Sequence, residues 1–124
     1  MIDIEKMLAE KKPLIDEVIR EFFPKTLKHG GVEEICGPAS FSAIDEKLAS
    51  KAVNEICWDL LERGGKRWRP ALYLIILEAL GGKKAVALEK DFLVVPEVVH
   101  NGTLLVDDIE DDSLTRRGKP CVHK

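Results

Sequence analysis

Five acidic residues crowd into a six-residue stretch: Asp107, Asp108, Glu110, Asp111 and Asp112. On a helix turning about 100° per residue, Asp107 lies about 20° from His100 and Asp111 about 20° on its other side, while Asp108 sits roughly 80° round. His100, Asp107 and Asp111 thus share one narrow stripe, with two carboxylates a turn apart facing the same way. A charge run of this kind is ordinarily a solvated helix end, but two features argue against that here. Like charges at i, i+4 repel, and a helix C-terminus disfavours negative charge. A divalent cation resolves both conflicts. Two carboxylates one turn apart suit Mg²⁺, which keeps several waters and takes its other ligands from phosphates. Zinc fits poorly, because no Cys or His accompanies the carboxylates at ligand spacing. The next cations, Arg116 and Arg117, are planar forks suited to phosphate oxygens. Carboxylates, metal and arginines together describe a diphosphate held between Mg²⁺ and Arg.

A second cluster, Gly64-Gly65-Lys66-Arg67-Trp68-Arg69-Pro70, places cations between a glycine pair and a helix start. Glycine lets backbone approach a ligand closely, and a helix N-terminus attracts anions. Lys66 and Arg69 could hold a second phosphate group, although an ordinary solvated turn reads equally well from this segment alone. The spacing of a Walker loop is missing. His100, a lone helical histidine of a kind that is more often packed or solvated than liganding, gains interest from sharing the face of Asp107.

Helical spacing dominates the elements that must position these groups, and β-hairpin signals are absent. Ile4, Leu8, Ile15, Val18, Ile19 and Phe22 form one stripe, interrupted near Pro13 and ended by Pro24 and Gly30-Gly31. Residues 29–40 read as a loop. A second helix is expected from Ser40 or Ser42, with Ile44, Leu48, Val53, Ile56, Leu60 and Leu61 on its apolar face and Gly64-Gly65 at its end. A third runs from about Arg69, with Pro70 in its first turn, to Gly81-Gly82. It is apolar nearly all round, so it requires neighbours on every side. A fourth is expected from about Lys84 to about Asp112, kinked at Pro96. The chain reads as one all-α domain over 1–124. Four helices can hardly surround one of their own, which points to an incomplete assembly or a covering partner.

The 124 residues carry 19 Lys plus Arg and 22 Asp plus Glu, a net charge of −3. That balance disfavours a nucleic-acid binder. Cys36, Cys57 and Cys121 are widely spaced and form no Cys-x-x-Cys, so they read as reduced thiols of a cytoplasmic protein. Met1 to Lys12 is no signal peptide. The longest strongly apolar run, Ala71 to Leu77, is too short to span a bilayer.

Two separated motifs carry a family resemblance. Gly65-Lys66-Arg67-Trp68-Arg69-Pro70 resembles the Gly-Lys-x-x-Arg-Pro motif of the trans-isoprenyl diphosphate synthases. Pro96 to His100 and Val106 to Ser113 resemble their first aspartate-rich region, and Arg116-Arg117-Gly118-Lys119-Pro120 with His123 its tail. The resemblance covers roughly Ser40 to Lys124. It implies an all-α bundle of the isoprenoid synthase type around a central cavity, usually a homodimer. It also implies a Mg²⁺-dependent prenyltransferase, similar to geranylgeranyl or farnesyl diphosphate synthases, that joins an allylic diphosphate to isopentenyl diphosphate in isoprenoid biosynthesis. By the same resemblance Asp107 and Asp111 bind Mg²⁺ with Asp108 in support, and Arg116 contacts the allylic diphosphate. Gly65, Lys66, Arg69, His100 and Arg117 fall to isopentenyl diphosphate. Gly102 and Thr103, both small where short-chain members place aromatic bulk, leave room for a product of geranylgeranyl length or longer. The family's second aspartate-rich motif does not occur in these 124 residues. The expectation is therefore an N-terminal portion, inactive alone and joined in a homo-oligomer or with a partner that supplies that motif. The alternative is a non-catalytic subunit of a heteromeric synthase that binds diphosphate and Mg²⁺.

Overall fold

The structure is a computed structural model that describes residues 3–37 and 45–124. It is all-α apart from one small ribbon. Helix α1 (Ile4–Phe22) is capped by Asp3, whose side chain accepts from the Lys6 N–H at 3.1 Å. It runs unbroken through Pro13, where an interruption was expected, and buries Ile15, Val18 and Ile19. A short helix α2 (Gly31–Cys36) occupies part of the stretch read as a loop. The expected helix start at Ser40 or Ser42, and Ile44 with it, lies outside the described residues.

Among the described residues the next helix begins at α3 (Glu46–Ala49). Asp45 caps it, accepting from the Lys47 and Leu48 N–H groups at 2.9 and 3.1 Å. It passes through a π-helical turn (Ser50–Asn54) into α4 (Glu55–Glu62). The wider turn rephases the helix, and this corrects the expected apolar face. Leu60 and Leu61 are buried, but Leu48 and Val53 are more than half exposed. The inward row is Ser50, Asn54, Trp58 and Leu61. Its polar members have work to do there. Asn54 Nδ2 donates to the Pro24 carbonyl at 2.7 Å and Trp58 Nε1 to the Phe23 carbonyl at 2.8 Å. Those carbonyls, just past the end of α1, have no partner within their own helix.

Helix α5 (Trp68–Glu89) keeps Pro70 in its first turn, as expected, and buries Pro70, Ala71 and Leu74. Its other side is open: Leu72, Ile76 and Leu80 are 48%, 48% and 82% exposed. The helix needs more neighbours than the described residues supply. Gly82, at φ 60° and ψ −155°, leaves the helical region for a conformation that glycine adopts cheaply, so α5 is broken there into two helical pieces at the expected Gly81-Gly82 end. The expected long fourth helix is in fact divided. A 3₁₀ turn (Lys90–Leu93) separates the end of α5 from α6 (Val94–Glu110). Pro96 therefore sits in the first turn of α6, where its missing N–H costs nothing, and kinks no helix.

One core joins these elements: Ile15, Val18 and Ile19 from α1, Trp58 and Leu61 from α4, Ala71 and Leu74 from α5, and Leu93 and Val94 at the start of α6. Beyond α6 a two-residue antiparallel ribbon pairs β1 (Thr115–Arg116) with β2 (Lys119–Pro120). The sequence had suggested no hairpin. Its turn residues Arg117 and Gly118 both have positive φ, 51° and 76°, which is the conformation that matches strand twist in a two-residue loop. Among the described residues no helix is long and apolar enough to cross a membrane.

Candidate active site

Helix α6 carries His100, Asp107 and Asp108, and Asp111 caps its C-terminus. The helix ends in a paired closure. The Ser113 N–H donates to the Asp108 carbonyl at 2.9 Å and the Asp112 N–H to the Ile109 carbonyl at 3.2 Å, with Asp112 left-handed at φ 49°. This is the Schellman arrangement, and aspartate tolerates the left-handed position better than most residues. It turns the chain back so that the β1–β2 hairpin lies against the end of α4.

The five acids separate by environment. Asp107, Glu110 and Asp111 are exposed, and none joins an ion pair among the described residues. Asp112 pairs with Lys124. Asp108 faces inward at 2% exposure. There it accepts from Arg116 Nε at 2.8 Å and from Arg116 Nη2. The Arg116 hydrogen bond outweighs burial and, with a contribution from the Cys121 thiol, holds the Asp108 carboxyl below its ordinary range. Arg116, expected to face a diphosphate, thus has its guanidinium engaged by Asp108 and remains one-third exposed. Asp107 and Asp111 stay together on the open face.

The cationic groups divide in the same way. Lys66 is exposed and meets Glu5 of α1 at 2.9 Å, a surface pair that contributes little. The Arg69 guanidinium stacks over the Trp68 ring, 4.5 Å from its centroid. Arg117 Nη1 donates to the carbonyls of Leu60 and Gly64 at 2.9 and 2.6 Å, which ties the hairpin to the glycine turn. Gly65 has φ 141°, a conformation that L side chains rarely adopt, and this suits glycine to the turn beside Arg117.

His100 is electrostatically coupled to these parts. Burial lowers its pKa, and the charges of Arg69 and Arg117 lower it further, while Glu97 and Asp107 pull the other way. The basic turn, the hairpin arginine and the acidic row therefore act on one imidazole. Thr103 is exposed, with its hydroxyl donating to the His100 carbonyl at 2.8 Å. A Cβ on Gly102 would touch nothing within 4 Å. The helix face at that height is open.

Sequence reasoning missed the buried ionic knot behind this surface. Arg67, 6% exposed, donates from Nε to Asp16 at 2.9 Å, from Nη1 to Glu97 at 2.7 Å and from Nη2 to the Leu61 carbonyl at 2.9 Å. Asn101 Nδ2 donates to Glu97 Oε1 at 3.1 Å. One signal was available: Glu97 is the single charge between Phe92 and Val99, and Glu97, Asn101 and Asp108 fall on one helical stripe.

Asp107 and Asp111 fit Mg²⁺ as a pair of unpaired carboxylates one turn apart, a number that suffices when substrate phosphates complete the shell. Among the described residues no group of three or more His, Cys, Asp or Glu could hold a metal without such help.

Comparisons with known proteins place the sequence in a family. Residues 50–124 match the family model described as polyprenyl synthetase. A geranylgeranyl diphosphate synthase of Methanosarcina mazei is 40% identical over 97 residues, which cover 74% of this chain and 29% of that protein. A prenyl transferase of Porphyra purpurea is 35% identical over 52% of this chain and 20% of its own length. Geranylgeranyl pyrophosphate synthase 6, mitochondrial, of Arabidopsis thaliana is 45% identical over 49% of this chain and 18% of its own length. The chain thus spans less than a third of these relatives. No solved structure matches it. The extent of the family match, which includes both motifs, establishes that the chain belongs to the polyprenyl synthetase family.

Proposed function

We propose that these residues form the first diphosphate-binding wall of a Mg²⁺-dependent trans-prenyltransferase that joins an allylic diphosphate to isopentenyl diphosphate. The observation that carries this reading is the tie of the hairpin to the glycine turn, Arg117 Nη1 donating to the Leu60 and Gly64 carbonyls at 2.9 and 2.6 Å, together with an exposed face of α6 that bears both Asp107 and Asp111. Asp107 and Asp111 would hold Mg²⁺ on the allylic diphosphate. The metal would neutralise charge on the departing diphosphate as the allylic C–O bond ionises. Arg116, braced by Asp108 and one-third exposed, would contact the allylic diphosphate beside Asp107 and Asp111. Lys66, Arg69, His100 and Arg117 would hold the isopentenyl diphosphate opposite. Gly102 and Thr103 leave the helix face open for a growing chain.

Isopentenyl diphosphate titrated into the protein should shift the His100 ring signals saturably in NMR spectra, and Arg69→Ala should abolish the shift. Unchanged His100 signals at millimolar ligand would overturn the assignment of this side of the site.

A further inference from the structure

Arg67 lies between two proposed ligand groups, Lys66 and Arg69, yet points away from them into the protein. Its backbone is left-handed at φ 51°, a conformation that L-residues adopt at a cost. That φ turns its side chain inward while Lys66 stays exposed and Arg69 remains partly exposed on either side. The buried guanidinium then reaches three separate elements: Asp16 on α1, the Leu61 carbonyl at the end of α4, and Glu97 on α6. Glu97 is three residues before His100, hence on the neighbouring part of the same helix face. The glycine turn is held from its other side by Arg117, also at φ 51°. A Cβ on Gly65 would lie 3.6 Å from Arg67 Nη1 and 3.8 Å from Arg117 Nη2, so the turn is clasped between the two arginines.

We propose that Arg67, with Glu97 and Asp16 as its counter-charges, is a positioning residue. It fixes the Lys66–Arg69 turn in register with His100 on α6 and so sets the spacing of the cations that receive a diphosphate. The proposal rests on the reading of Lys66, Arg69 and His100 as diphosphate ligands, but the register itself is a property of the unliganded protein. A planar five-donor fork suits the role, because it can satisfy three acceptors in fixed directions; lysine keeps the charge without that geometry.

Two readouts test it on the full chain: the dissociation constant for inorganic diphosphate with Mg²⁺, and the NMR titration midpoint of the His100 ring, assigned with His100→Gln. Arg67→Ala should weaken diphosphate binding by about ten- to a hundredfold, the loss of one or two charge-assisted contacts. It should also raise the His100 midpoint, as the Arg69 and Arg117 charges drift from the ring. Arg67→Lys should give intermediate values in both readouts. Leu74→Ala, a core change away from the turn, should lower stability and move neither. Wild-type affinity and midpoint in Arg67→Ala, or equal losses in Leu74→Ala, would overturn the proposal. If the unaltered protein does not bind diphosphate, the ligand reading fails, and the His100 midpoint alone decides whether Arg67 sets the register. If Arg67→Ala does not fold, Arg67→Lys carries both readouts, and an unmoved midpoint there counts against positioning.

Discussion

Breaking the Arg67 knot and replacing it should have opposite consequences. Arg67→Ala leaves Glu97, its side chain 6% exposed, and Asp16, 18% exposed, without their shared guanidinium. It also frees the buried Leu61 carbonyl. Asp16 keeps Lys12, whereas the Glu97 carboxylate keeps a neutral amide donor, Asn101 Nδ2 at 3.1 Å, so the loss falls mainly on Glu97. Removing one partner of a buried ion pair typically costs about 3–5 kcal/mol. A domain of this size is held by about 5–15 kcal/mol in all, so the variant should stand close to unfolding. With a urea dependence of about 1–3 kcal/mol per molar, the midpoint should fall by about 1–5 M. Replacing both charges, Arg67→Met with Glu97→Met, removes the desolvated ions together and should recover most of the loss. Equilibrium urea unfolding, followed by fluorescence of the buried Trp58 and of Trp68, measures both. A double variant as unstable as the single one, or a single variant within about 1 kcal/mol of the unaltered protein, would refute the claim that a stranded buried charge sets the cost.

Acid should destabilise the protein in two stages. His100 is held below the ordinary histidine range by burial, Arg69 and Arg117, so the unfolded chain takes up its proton first as pH falls through about 6.5. Asp108 is held low by Arg116, and Asp16, against the opposing effect of burial, by Lys12 and Arg67. Their contributions are present above about pH 4 and are lost as pH drops through the lower folded values. Urea midpoints between pH 3 and 8 should therefore rise with pH in both windows, and Asp108→Asn should flatten the lower one; a midpoint independent of pH contradicts the assigned partners. In an assembly that elongates prenyl chains with this subunit, Thr103→Phe should shorten the product, because the open face at Gly102 and Thr103 would then carry an aromatic ring. Product length unchanged by that substitution removes these two positions from the chain-length role.

Much of this arrangement is legible in residue spacing because helix geometry is local. The core residues of α1 follow a 3.6-residue period, and the Asp107–Asp111 row needs only 100° per residue to be found. Features that depend on backbone exceptions are not legible. The π-helical turn at Ser50–Asn54 rephases a helix by a residue, and nothing in Ser-Lys-Ala-Val-Asn announces it. The left-handed φ of Arg67 and Arg117 is held by side-chain bonds across the fold, so residue type alone gives no sign of it. That difference also explains the arginines. All of them are identical as charges in the sequence, but Arg67 and Arg117 bond inward to the protein, Arg116 is taken by Asp108, and Arg69 alone stacks on an exposed ring. The long fourth helix failed for a related reason: Pro96 was recognised as a disruption, yet it fits a first turn, and the break falls ahead of it at Lys90–Leu93.

The central claim is that Asp107 and Asp111 form a Mg²⁺ site which operates only with a diphosphate. Calorimetric titration of inorganic diphosphate into the protein, with and without Mg²⁺, and into Asp107→Asn/Asp111→Asn, tests it most directly. The prediction is saturable binding that requires Mg²⁺ in the unaltered protein and is lost in the double variant, whose thermal stability is unchanged or slightly higher because two like charges are gone. Diphosphate binding of equal strength without Mg²⁺, or undiminished in the double variant, would contradict it.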